Sequence, residues 1–322
     1  MGDSASSQSV SYDATKIISS TFASVTAHPA SGSVARRDAC AQKPLGSGPS
    51  PSTDTNKDFL EYSALSDIAI KASTPSGYTR TFKNLTASNN AMAYMGYMSL
   101  DSYDTQQCAD ECTKKDGSIS FNIYFERDPS VDPAPACANP TSTTVIKCVW
   151  WGSPIDAATA VNDGQWRQDF HVVIAGSNGY VSTLVDDVPG YSKQYYGKAA
   201  ISAPLDCNQH DTYMGYKLFN DGKPFDVARC AAACEAESQW NIQHLGGRML
   251  CRFFNTYVLS KNGVPQGQYC SMHNETWSGM YATNDGQYRG DDHYTISYSI
   301  GYSNVTDPGV PSCTTNSATQ ST

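Results

Sequence analysis

Charge is scarce in this chain. Asp, Glu, Lys and Arg make up 16% of its 322 residues, against about 25% in an average globular protein. Basic residues are the scarcer sign, 22 Lys and Arg against 31 Asp and Glu, for a formal net charge of −9. That balance excludes nucleic acid and anionic membrane surfaces as partners, because both are recognised through basic patches. No apolar run approaches the length of a membrane span. Catalytic signatures are missing too: there is no G-x-S-x-G elbow, no H-E-x-x-H, no P-loop and no G-x-G-x-x-G. Neither a C-x2-C pair nor a Cys/His ligand box occurs, which removes the usual zinc patterns. No cofactor and no metal are expected.

Neutral polar residues fill the gap, with 20 Tyr, while hydrophobic residues at 39% suffice for real cores. Eleven cysteines are many for a reducing compartment. Sequons at Asn84, Asn274 and Asn304 add candidate glycosylation sites. The expected setting is extracellular, with secretion or cell-wall association.

The chain also contains itself twice. Residues 104–180 moved forward by 122 positions meet 226–302: Asp104 falls on Asp226, Cys108 on Cys230, Cys112 on Cys234 and Cys148 on Cys270. From 162 to 180, 11 of 19 positions are identical, where unrelated segments would share roughly one. So long a period means two homologous domains. Asp104 and Asp226 are good helix N-caps. The pairs Cys108/Cys112 and Cys230/Cys234 are spaced i,i+4, so both sulfurs leave one helical face. Strands are expected around Tyr94–Tyr97 and Tyr213–Tyr216, at Phe121–Tyr124 and Phe254–Tyr257, and at Cys148 and Cys270. Two more should close the copies at His171–Ile174 and His293–Ile296.

Outside the repeat, 1–37 reads as a signal and pro-segment, with an apolar run through Phe22 and a dibasic Arg36-Arg37, or as a disordered tail. A helix capped by Asp54 or Thr55 should run through Ile68 and stop before Pro75-Ser76-Gly77. The expected domains are 38–190, including that helical extension, and 191–310. A disordered tail, 311–322, carries no lipid-anchor signal.

A helix whose C-x3-C face is pinned to an antiparallel sheet resembles the PAN/apple family. The carrying residues are Gln107-Cys108-Ala109-Asp110-Glu111-Cys112 and Arg229-Cys230-Ala231-Ala232-Ala233-Cys234, each followed by a later strand cysteine. More narrowly, Phe121–Ser130 and Gln266–Cys270 look like a family of secreted fungal proteins of unknown activity. The resemblance implies an α+β fold of two homologous, disulfide-linked PAN/apple-like modules, each an antiparallel sheet with one packed helix. It implies no catalytic residues. It further implies the pairs Cys108–Cys148, Cys230–Cys270 and Cys234–Cys251. The first copy departs from the pattern, because Ser118 stands where Cys251 would, and Cys137 is expected to take its place as Cys112–Cys137. Cys40, Cys207 and Cys313 remain; two of them could pair, leaving one odd thiol.

One constellation invites a chemical reading, the repeated Arg-x-Asp-x-His: Arg167, Asp169, His171 and Arg289, Asp291, His293. On a strand, i and i+2 share a face, so Asp and His could form an acid/base pair or half a metal site. Asp292 beside His293 adds a carboxylate that a divalent cation would use. The alternative, a structural ion pair bracing the last strand, is preferred, because packing needs persist in both copies of a duplication. Trp151, Trp166 and Tyr288 are candidates for a glycan platform, set against the usual burial of large aromatics. The functional expectation is a non-catalytic protein that binds a glycan or an extracellular protein. The rivals are an extracellular enzyme built on the Arg-x-Asp-x-His strand and a structural surface protein.

Overall fold

The computed structural model describes residues 39–247 and 249–309. The N-terminal segment, the C-terminal tail and Cys313 lie outside them. The fold is α+β, mostly antiparallel sheet with few helices. No helix among the described residues is long and apolar enough to cross a membrane. The chain divides between Leu184 and Val185 into two compact units, six residues before the boundary expected from sequence.

Unit 1 opens with two short helices, α1 (Asn56–Glu61) and α2 (Ser63–Lys71), not one. The chain breaks at Tyr62, which adopts an extended conformation. The Thr55 side chain caps α1, while Asp54 turns instead to the Arg127 guanidinium at 2.7 Å. Then follow β1 (Tyr78–Leu85), β2 (Tyr94–Leu100), α3 (Thr105–Lys114), β3 (Ser120–Pro129), β4 (Ser142–Trp151), β5 (Gly164–Arg167) and β6 (Phe170–Ser182). The antiparallel sheet runs β1-β6-β3-β4-β2, with β5 paired to the start of β6.

Unit 2 contains β7 (Tyr191–Gly197), β8 (Ala200–Ile201), β9 (Tyr213–Phe219), α4 (Val227–Leu245), β10 (Phe253–Lys261), β11 (Val264–His273), β12 (Ala282–Asn284), β13 (Gly286–Arg289) and β14 (Asp292–Asn304). Here β14-β10-β11-β9 repeats the order β6-β3-β4-β2. The strand β13 occupies the place of β5, and β7 that of β1. A small ribbon, β8 with β12, is reduced in unit 1 to the single antiparallel bridge between Ser88 and Asn162.

Capping starts both repeat helices. Asp104 Oδ1 accepts from the Gln106 and Gln107 amides, and Asp226 Oδ1 from Ala228, satisfying otherwise orphan first-turn donors. The helices are not equal, however: α3 has 10 residues and α4 has 19. The constant register of 122 hides two compensating changes. Eleven extra residues follow Cys234, so Phe121 corresponds to Phe254, and the next hairpin is eleven shorter, which restores 122 at Cys270. In unit 1 that hairpin loop spans 130–141; in unit 2 it is the turn Asn262-Gly263, both at positive φ, as a tight two-residue turn requires.

Each helix packs its cysteine face on the sheet. Cys108–Cys148 and Cys230–Cys270 are disulfides, each with a sequence separation of 40, and Cys234 is bonded to Cys251. The first unit corrects one expected pair. Cys137 lies in the 130–141 loop and is bonded to Cys40, while Cys112 is buried beneath α3 as a free thiol. Its sulfur lies 3.0 Å from the Ser118 hydroxyl, where unit 2 has the Cys234–Cys251 bond. Among the described residues the free thiol is therefore Cys112, whereas Cys40 is bonded to Cys137 and Cys207 is itself disulfide-bonded. Aromatic packing repeats as well: Phe121 stacks on Tyr180 at 4.8 Å, and Phe254 on Tyr302 at 4.9 Å.

Candidate functional site

Strand alternation sends Phe121, Ile123 and Cys148 to the helix side of the first sheet, and their neighbours to the opposite face. That opposite face is where the two units part. In unit 1 it carries Tyr124, Glu126, Lys147, Val149 and Trp151, and it is roofed by the chain around Ser88–Asn89 and Asp156–Thr159. Asn122 Oδ1 accepts from the Asn89 amide at 3.1 Å, and Asn89 Nδ2 donates to Thr159 Oγ1 at 2.7 Å. Beneath the roof Lys147 meets Glu126 at 2.5 Å and sits 5.2 Å above the Tyr97 ring. Burial works against the Lys147 ammonium, but Glu126, Tyr124 and Asp128 outweigh it and raise its pKa. Burial likewise pushes the Glu126 carboxyl up, with Lys147 opposing. The space left is about 10 Å³. This face is core.

Unit 2 keeps the anchoring contact, with Asn255 Oδ1 accepting from the Ile201 amide at 2.8 Å, but changes what lies beside it. Tyr269 stands at the place of Lys147, Leu259 at that of Glu126, and His273 at that of Trp151. The result is an open cleft of about 370 Å³, lined by Asp211, Tyr213, Tyr257, Tyr269, His273, Gln287, Arg289 and Tyr294 among others. Tyr216 stacks on Tyr269 at 4.7 Å and 7°, and Tyr269 on Tyr257 at 5.1 Å and 18°. Three neighbouring strands thus present one row of phenol rings. The outer ring, Tyr216, is 49% exposed, and Tyr213 at the cleft edge is 41% exposed. Desolvation by burial holds the Tyr257, Tyr269 and Tyr213 phenols above their ordinary pKa, so they stay neutral and can donate hydrogen bonds. Burial also lowers His273 to about 4 despite the opposing Asp211 charge, so its ring is neutral at pH 7. The His273 Nδ1 lies 3.2 Å from Thr212 Oγ1, which accepts from Trp277 Nε1 at 3.0 Å.

The residues singled out from sequence fall elsewhere. Trp151 is 1% exposed and belongs to the core, so it offers no platform. Arg-x-Asp-x-His is not a strand: Arg167 ends β5, Gln168-Asp169 make the turn, and His171 follows on β6. In unit 2 Gly290-Asp291 turn between β13 and β14. The expected face sharing of Asp and His is therefore lost. Asp169 and Asp291 are exposed at the turns, and Arg167 pairs with Asp132 at 3.3 Å instead of Asp169. What the hairpin does bring together is Trp166 on His171, 4.2 Å and 3° apart, and Tyr288 on His293, 4.3 Å and 11° apart. Trp166 and Tyr288 are 66% and 72% exposed, and Tyr288 alternates with Gln287 and Arg289 along β13, so it lies on the face of its hairpin away from the cleft. Asn56 Nδ2 lies 2.9 Å from His171 Nδ1. Asp292 is taken by Lys261 at 2.8 Å, and no cluster of three or more His, Cys, Asp or Glu side chains able to hold a metal occurs among the described residues.

In the sequence Tyr213 and Tyr257 stand out only as strand markers, and Tyr269 only within the Gln266–Cys270 stretch. The signal that marks them as a site is the comparison of copies, in which buried Lys147 becomes Tyr269. The chain matches no protein-family model, no curated protein and no solved structure.

Proposed function

We propose that this is an extracellular, disulfide-braced protein of two PAN/apple-like modules that binds a carbohydrate in the cleft of unit 2 and performs no chemistry on it. The observation that carries this reading is the open cleft lined by Tyr213, Tyr269 and Tyr294 with Asp211, Gln287 and Arg289, where the half-exposed Tyr216 stacks on Tyr269 and Tyr257 is buried against it. Pyranose rings present apolar C–H faces that pack on aromatic rings, while their hydroxyls need convergent polar partners; concave aromatic sites with a few polar groups supply both. Asp211 is the one carboxylate among the lining residues, whereas glycoside hydrolysis commonly needs a pair. The buried, neutral imidazole of His273 serves the packing of Thr212 and Trp277. The disulfides, Cys40–Cys137, Cys108–Cys148, Cys230–Cys270 and Cys234–Cys251 among them, favour an oxidising compartment.

A glycan array probed with the full chain tests this. Binding to a defined set of saccharides is expected, and Tyr269→Lys, the residue of unit 1, should abolish it while Tyr97→Ala leaves it intact. An array without ligands, or binding indifferent to Tyr269→Lys, would overturn the reading.

A further inference from the structure

The two arginines of the repeat differ in what neutralises them. In unit 1 Arg167 lies 3.3 Å from Asp132 and 4.0 Å from Asp128. Both acids come from the end of β3 and the 130–141 loop. In unit 2 that loop is reduced to Asn262-Gly263, so no residue stands where Asp132 does. The position of Asp128 is filled by Lys261, which turns away to Asp292. Arg289 consequently has no carboxylate partner among the described residues, and it lines the tyrosine cleft.

Its guanidinium is nevertheless held in place. The plane lies 4.7 Å from the Tyr294 ring. With the Gln287 amide turned oxygen-inward, Oε1 accepts from Arg289 Nε at 2.9 Å and Nη2 at 2.6 Å. The Nη1 donors and the second Nη2 hydrogen remain for a ligand. A fixed, planar fork of this kind suits a carboxylate, whose two oxygens match it in a bidentate pair. The other charge in the cleft, Asp211, already accepts from the Tyr213 amide at 2.9 Å.

We infer that the cleft selects a saccharide bearing a carboxylate, with Arg289 pairing the acid group while the sugar ring packs on the tyrosines. This rests on the carbohydrate reading above. Two kinds of acidic sugar share the chemistry, hexuronates and sialic-type acids, and the test separates them. Calorimetric titration of the full chain would use oligogalacturonate, its methyl ester, sialyllactose and lactose.

One acid is expected to bind roughly 10-fold or more tightly than its neutral counterpart, the gain typical of a charge-assisted pair. Arg289→Gln should erase that preference and leave the weaker neutral binding, Arg289→Lys should restore part of it, and Arg167→Gln should leave it unchanged. Equal affinity for acid and neutral forms, or a preference that survives Arg289→Gln, overturns this inference and leaves carbohydrate binding standing. Failure of all four saccharides together with an empty glycan array overturns both.

Discussion

Unit 1 and unit 2 build the same strand order from diverged copies of one sequence, yet one sheet face is sealed and the other open. The difference turns on few side chains. A buried ion pair, Lys147 with Glu126, occupies in unit 1 the place that Tyr269 and Leu259 hold in unit 2. Lys147 sits between Tyr97 and Tyr124 as Tyr269 sits between Tyr216 and Tyr257. Once a neutral ring replaces the ammonium, no acid is required beside it, and the face can open without stranding a buried charge. The helix side shows a similar exchange. Gly176 in unit 1 has φ +59°, and a Cβ there would meet Phe125 at 2.8 Å and the Leu65 carbonyl at 3.1 Å. Unit 2, without an equivalent of α2, has Tyr298 at that position with φ 54°. Its ring packs against Tyr195 and Phe225. Duplication thus let one copy spend its variation on packing and the other on a cleft.

The largest expected effect tests what the units share. Cys148→Ser and Cys270→Ser should each cost about 4 kcal/mol, because each bond closes a loop of the same 40-residue separation. Unit-resolved hydrogen exchange that found markedly unequal losses would break the equivalence. Lys147→Met should cost unit 1 about 3 kcal/mol by leaving the Glu126 carboxyl buried and unpaired. The double change Glu126→Leu with Lys147→Tyr, which imports the unit 2 residues, should return stability to within about 1 kcal/mol of the parent in denaturant titration.

Acid should separate the units next. Burial lowers the folded pKa of His273 to about 4, against 6.5 for a free histidine side chain, so between those values the unfolded chain binds a proton that the folded one refuses. Stability from this site is therefore full above pH 6.5, falls as pH drops, and levels off near pH 4. The loss totals roughly 3 kcal/mol. Unit 1, with Trp151 at this place, has no such pH dependence there. Thermal melts of His273→Gln across that range should lose this part of the pH dependence. The smallest effect concerns Cys112. Ser118→Cys should convert the 3.0 Å contact into a disulfide like Cys234–Cys251 and add about 2 kcal/mol. A thiol titration would show one buried thiol in the parent core and none in the variant.

Several features were legible in the sequence for local reasons. The capping carboxylates Asp104 and Asp226 act within a turn of their own positions. The i,i+4 cysteines need only helical geometry to share a face. The repeat marked the strands and matched the cysteines of the two copies, while the pairs Cys108–Cys148 and Cys230–Cys270 were implied by the resemblance to the PAN/apple family. Trp166 and Tyr288 were recognised as candidate platforms, but their partners, His171 and His293, were read as strand neighbours of Asp169 and Asp291. A two-residue turn placed them across a hairpin instead.

What the sequence by itself determined is the internal duplication, its helix starts and the shared helical face of each i,i+4 cysteine pair, because each follows from residue spacing along the chain. The tertiary structure alone decided that Cys137 reaches Cys40, that Cys112 stays reduced, and that one of two homologous sheet faces opens as a tyrosine cleft whose Arg289 has no carboxylate partner among the described residues. Those outcomes depend on which loops are long enough to cover a face or deliver a counter-charge, and that is a property of chain segments brought together from afar.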